Sequence, residues 1–170
     1  MEYQIIKSNR KTLSLSINDE LIPVIKAPYF VSDNAIYKFV EENQKWIVNA
    51  VEKKKKYLQR VNISDDEMSE LISEAKRVIP DKVKYFSNLM DLYPTGVKIT
   101  KAKKRFGSCN GKNSLCFSCF SMKYPDKVID YVVVHELAHI KHHNHSAEFY
   151  ELIHKYIPDY REYEKILKNE

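Results

Sequence analysis

Val134-His135-Glu136-Leu137-Ala138-His139, followed six residues later by His145, is the stretch on which the reading of this chain turns. All six histidines of the protein fall between His135 and His154. Residues four apart share one face of a helix, about 6 Å apart along its axis, so His135 and His139 can grip one ion from one side. Glu136 stands beside the first of them, close enough to reach a metal-bound water without ligating the metal. The ion would lower the pKa of that water towards neutrality, and the carboxylate would take its proton as general base. The pattern points to metal-assisted hydrolysis, with Zn2+ as the expected cofactor and Glu136 as the catalytic residue.

A tetrahedral site needs a third protein ligand, and a straight helix does not supply one. His143 would continue the stripe, but it would lie about 12 Å from His135 along the axis, against metal–nitrogen bonds of about 2 Å. The chain must therefore turn back after about His142, which favours His145 as third ligand. Asn144 suits the helix exit or the cap of the next helix. Glu148, on that following helix, is the runner-up. His142, His143 and His154 read as solvent-facing.

Around this stretch the composition is that of a globular protein, with 44% apolar and 30% charged residues. The apolar runs are far too short to span a membrane, and Met1-Glu2-Tyr3-Gln4 does not begin a signal peptide. Cys109, Cys116 and Cys119 are odd in number, which argues against a disulfide framework and for the cytoplasm. Net charge is +5. Lys98, Lys101, Lys103, Lys104, Arg105 and Lys112 form one basic run without an acidic residue, and Lys53 to Lys56 form another. Such runs are usually solvated faces, but next to a metal site the first could attract phosphates or nucleic acid.

In chain order, Tyr3–Lys7, Thr12–Ile17 and Leu21–Lys26 read as strands, with Pro23 placing the third at an edge or a strand start. From Ser32 or Asp33 the period becomes helical and runs on to the lysine cluster. Arg60 to Ile63 reads as a hinge. Ser64-Asp65-Asp66-Glu67 is a capping box, and Pro80 should kink or divide the helix it opens. Val97–Thr100 and Leu115–Phe120 read as the arms of a hairpin, with Asn110-Gly111 as a tight two-residue turn. Cys116 and Cys119 lie in the return arm as packing residues. Pro125 and Asp126 then open the metal helix. Two shorter helices follow, from about Ser146 to Tyr156 and, beyond Pro158, through Ile166.

Arg105-Phe106-Gly107-Ser108-Cys109, the run from Pro125 through His139, and Asn144-His145-Ser146 with Phe149 together resemble the YgjP-like metallopeptidase-domain family, related to the SprT and WLM metalloproteases. Lys11–Ile17 and Trp46-Ile47 also resemble its opening. The family usually has tryptophan before Gly-Ser-Cys; Phe106 stands there here and keeps an aromatic wall. Metzincins share the His145 spacing but carry glycine where this chain has His142. The resemblance implies an α+β, zincin-like fold, in which a small β-sheet packs against the active-site helix. Residues 1–62 would form an N-terminal β/α lobe and residues 63–170 the zincin-like core, packed as one compact unit. It also implies zinc ligands at His135, His139 and His145, with Glu136 as acid/base. In such a fold Gly107, Ser108 and Cys109, with Arg105 beside them, would border the cleft and bind substrate. Gly107 could equally be required by a tight strand bend. Tyr156, Tyr160, Arg161 and Arg105 are the candidates for stabilising an oxyanion.

Three functions are compatible with these residues. The first is a zinc metallopeptidase acting on peptide or protein. The second is a nucleoside-triphosphate (UTP) pyrophosphatase using the same metal site, with the basic run holding the polyphosphate. The third is a nucleic-acid-associated module in which zinc is structural. Four closed ligands are normal for that role, whereas three and a catalytic glutamate are found here. No membrane partner is expected, and the basic surface is the place for any association with nucleic acid.

Overall fold

The apolar residues of the first sixty positions close on a single strand. In the computed structural model, which describes residues 2–168, β1 (Gln4–Ser8), β2 (Ser14–Ile17) and β3 (Pro23–Pro28) form a three-stranded sheet in the order β1-β3-β2. β1 runs parallel to β3 and β2 antiparallel to it. Pro23 is the first residue of β3, where its missing N–H is tolerated, yet β3 is the central strand and not an edge. The Asn18 side chain shapes the preceding turn by accepting from the amides of Glu20 and Ile22.

The long helix expected after Ser32 is two helices, α1 (Asp33–Glu42) and α2 (Gln44–Val61). Ser32 caps α1 by accepting from Ala35 N–H. The break falls at Asn43, whose side-chain amide donates to the Phe39 carbonyl, a local alternative to continuing the helix. Ile25, Ala27, Ile36, Val40 and Ile47 are the buried centre of this unit.

The chain divides into two compact units between Asn62 and Ile63. The second opens with α3 (Asp65–Met90), capped by Ser64, which accepts from Glu67 N–H. The Glu67 carboxylate pairs with Lys123 at 2.7 Å. Pro80 does not divide α3: Leu71, Ala75, Ile79, Val83, Phe86 and Met90 keep one buried stripe through it. Pro80 faces solvent, where water can satisfy the carbonyl it frees, and burial of the stripe outweighs a local penalty of about 3 kcal/mol.

The second sheet corrects the expected hairpin. β4 (Gly96–Thr100), β5 (Gly107–Cys109) and β6 (Ser114–Ser118) lie in the order β4-β6-β5. β4 is parallel to β6, and the antiparallel arm is β5. The turn is also longer than expected. Asn110 accepts through its side chain from the amides of Lys112 and Ser114, and Asn113, not Gly111, takes the left-handed conformation at φ 58°. β6 stops at Ser118, so Cys119 lies in a 3₁₀ turn (Cys119–Lys123) and not on the strand. Its buried thiol packs 3.8 Å from the Met68 sulfur.

Three helices complete the unit: α4 (Asp126–Lys141), α5 (Ala147–Tyr156) and α6 (Tyr160–Lys168). The architecture is α+β, two small sheets with helices. Among the described residues no helix is long and apolar enough to cross a membrane.

Candidate metal centre

α4 is buried on nearly every side, with Val128, Ile129, Tyr131 to Val134 and Glu136 to Ala138 all covered. α3, α5, α6 and β5 pack around it. Its start is pinned by Lys82 of α3, which pairs with Asp126 at 2.8 Å and Asp130 at 2.6 Å. Its end is the sharp turn the histidine spacing demands. α4 stops at Lys141, His142 takes an extended conformation as C-cap, and the chain reverses into α5. Ser146, not Asn144, holds the N-cap position of α5.

That reversal brings His145 back over the helix. One ligand nitrogen from each of His135, His139 and His145 lies within 4.8 Å of the others. The Nε2 atoms of His135 and His145 are 3.2 Å apart. Two nitrogens on one tetrahedral zinc at about 2.0–2.1 Å would stand about 3.3–3.4 Å apart, so this pair of nitrogens already sits close to ligand spacing. His139 Nδ1 lies 3.0 Å from the His142 carbonyl, which can only accept. Nδ1 therefore carries the proton and Nε2 keeps its lone pair. Phe149 of α5 is fully buried beneath all three rings, with centroids 5.0, 4.6 and 4.8 Å from those of His135, His139 and His145.

Electrostatics agree with this donor set. Burial, followed by the neighbouring His139 and His145, pushes the His135 pKa down to about 3, and burial also lowers that of His139. Both rings are thus neutral at physiological pH, the form that donates to a metal. Glu148, the alternative ligand, is exposed and lies outside the triad. Its carboxyl is held low by a hydrogen bond from Ser146.

Glu136 is only 6% exposed, and burial pushes its pKa up to about 8, against a smaller opposing effect of Arg105. Gly107 of β5 lies against it. A Cβ at Gly107 would fall 2.5 Å from Glu136 Oε1 and 2.6 and 2.7 Å from its Cγ and Cδ. No glycine of the described chain has positive φ, so the requirement at Gly107 is close approach and not backbone conformation.

Between these elements lies a cavity of about 480 Å³, bordered by Lys104, Phe106 and Gly107, by His135, Glu136 and His145, and by Tyr131, Tyr150 and Glu164. The expected substrate-binding group is divided by the structure. Gly107 faces this cavity and also a smaller hollow of about 230 Å³, which Arg105 and Ser108 line. Cys109 is half-buried, and burial first and Glu136 second raise its thiol pKa. Of the oxyanion candidates, Tyr160 is buried in a ring stack between Tyr131 and Tyr150. Arg161 belongs to a neighbouring hollow. Tyr131, Tyr150 and Glu164 were not legible as site residues. Tyr131 offers one signal, its place one turn before His135, and the other two depend on how α5 and α6 fold back.

The model of the YgjP-like family, metallopeptidase domain, matches residues 67–170, more than half of the chain. No curated protein matches it significantly. Among solved structures it is similar to the metallopeptidase zymogen of Pyrococcus abyssi abylysin, with 20% identity and a TM-score of 0.49, covering 53% of this chain and 91% of that one. With a buried glutamate beside three converging imidazoles and the family's own domain over its second unit, the chain belongs to the YgjP-like metallopeptidase-domain family.

Proposed function

We propose that this protein is a zinc-dependent hydrolase, most simply a metallopeptidase, with the metal held by His135, His139 and His145. One observation carries the reading: three imidazoles converge beside a buried carboxylate at the wall of an open cavity. The donor chemistry fits zinc, which suits neutral imidazole in a three-ligand site with a position left for substrate or solvent. Bound there, the ion would supply Lewis acidity, lowering the pKa of a water and polarising a carbonyl.

The remaining steps belong to the protein. Glu136 is held against Gly107 with one face towards the cavity, where it can take a proton from water and return it to the departing amine. Its burial favours the protonated form, and a cation alongside offsets that bias. β5 is the edge strand beside α4, so its outer backbone groups can hold an extended peptide as an added strand. Three free cysteines fit a reducing compartment, the cytoplasm.

A second reading is favoured by Lys104, which lines the same cavity as His135 and Glu136. A cation there would suit the polyphosphate of a nucleoside triphosphate, and the protein would then be a UTP pyrophosphatase. The structural-zinc, nucleic-acid-associated reading has less support, because a closed site has four protein ligands and no cavity.

Zinc-loaded protein should be assayed with an unfolded protein substrate and with UTP, alongside Glu136→Gln. The variant should keep zinc and lose about 10²–10⁴-fold in turnover. Wild-type activity in it would remove the proposed mechanism. Pyrophosphate release that disappears in the variant would select the second reading over the first.

A further inference from the structure

A histidine that binds a metal through one ring nitrogen needs its other nitrogen held, which sets both the tautomer and the orientation of the ring. For His139 the holder is backbone, the His142 carbonyl where α4 ends. His135 lies further inside α4, where neighbouring carbonyls are taken up by the helix. Its Nδ1 is instead 3.4 Å from the hydroxyl of Tyr131. We propose that Tyr131 is the positioning residue for His135: Nδ1–H donates to the Tyr131 Oη and holds the ring with Nε2 facing His139 and His145. The inference rests on the reading that these three residues hold a metal.

Two independent features place the hydroxyl there. Tyr131 precedes His135 by four residues, and helical side chains lean towards the N-terminus, so the imidazole lies over the turn that carries the tyrosine. The two rings meet nearly edge-on, 5.7 Å apart at 73°. From the other side the tyrosine is fixed by α6. Tyr160 lies almost parallel to it at 6.5 Å and 23°, and is itself stacked on Tyr150 at 5.7 Å and 22°. Tyr131 is 3% exposed, so this packing leaves its ring little freedom to swing away. The last helix of the chain would thus act on the metal site through a tyrosine pair, without touching the metal.

The test is Tyr131→Phe, which deletes the hydroxyl and keeps the ring in its stack. Nitrogen-resolved NMR of the metal-free protein should show His135 as the Nδ1–H tautomer in the wild type and as a mixture in the variant. Zinc affinity, measured by competition with a chromophoric chelator, should fall about tenfold, the lower end of what loss of such a partner brings. Thermal unfolding should change little. Tyr131→Leu, which also breaks the stack, separates packing from hydrogen bonding. If Phe matches the wild type in tautomer and affinity while Leu alone loses zinc, Tyr131 is a packing residue and the proposal is overturned. The same holds if wild-type His135 is not the Nδ1–H tautomer. If the wild type binds no zinc but its tautomer still depends on the hydroxyl, the tyrosine contact stands and the metal reading falls.

Discussion

Gly107 shows how little room one residue can have. Its α-carbon lies so close to the Glu136 carboxylate that a methyl group would overlap three of that side chain's atoms. Glu136 is buried on its other sides, so the only way it can yield is towards the cavity. Gly107→Ala should therefore leave zinc binding intact and move the carboxylate. Displacements of about 1 Å can reduce turnover about 10²-fold, and kcat should fall towards that value. Steady-state kinetics with parallel zinc analysis would check it; unchanged kcat would mean the carboxylate has another place to go. The glycine was conspicuous in Phe106-Gly107-Ser108, but both a strand bend and a cleft border explained it. The partner that decides the matter is 29 positions further along the chain, so sequence proximity gave no hint of it.

At the scale of elements, α4 is set by anchors at both ends. Lys82 of α3 bridges Asp126 and Asp130, and its side chain is 16% exposed. Burial alone would depress the lysine pKa, but the hydrogen bonds to Asp126 and Asp130 outweigh it and the net shift is upward. A raised lysine pKa means that the pair contributes fully below the unfolded value of about 10.4 and is lost as pH rises through the folded one. Lys82→Ala should therefore destabilise the unit by about 1–2 kcal/mol at neutral pH, and by less in alkali. Urea unfolding at two pH values would measure this, and an equal loss at both would refute the ionic origin. The stripe of α3 and the histidine face of α4 were readable from period alone. The break at Asn43, the continuity through Pro80 and the parallel β4–β6 pairing were not. Each is a contest between local preference and tertiary packing, and packing won at Pro80 while the local hydrogen bond won at Asn43.

For the whole molecule, the three histidines tie α4 to the turn that leads into α5, so a metal bound there would link two elements as well as serve chemistry. A ligand present at about a thousand times its Kd stabilises the folded form by about 4 kcal/mol. Chelation should accordingly abolish hydrolysis and lower the melting temperature of the second unit on the order of 10 °C, reversibly on adding zinc. Loss of activity with no thermal shift would point to a site that binds weakly or is not preorganised. Charge is also uneven across the molecule. Residues 1–62 carry eleven Lys and Arg against seven Asp and Glu, whereas residues 63–170 carry seventeen against sixteen. The basic surplus therefore belongs mainly to the N-terminal unit, although the run that reaches the cavity is in the second.

By itself the sequence placed His135 and His139 on one helix face with Glu136 at their side, and favoured His145 over Glu148 as the third ligand. Four-residue spacing on a helix and a short return after His142 are local geometry, legible wherever the helix happens to pack. It also showed a mixture of strands and helices, because hydrophobic period changes visibly between them, while the α+β, zincin-like class followed from the family resemblance. Only the tertiary structure decided what surrounds those rings. Phe149 under the triad, Gly107 against Glu136, Tyr131 held by Tyr160, and α6 as a wall of the cavity all join residues that sequence spacing leaves unrelated. A metal motif is written in consecutive residues because chelation is short-ranged. Its environment comes from packing, which brings distant side chains together only after the chain has closed on its core.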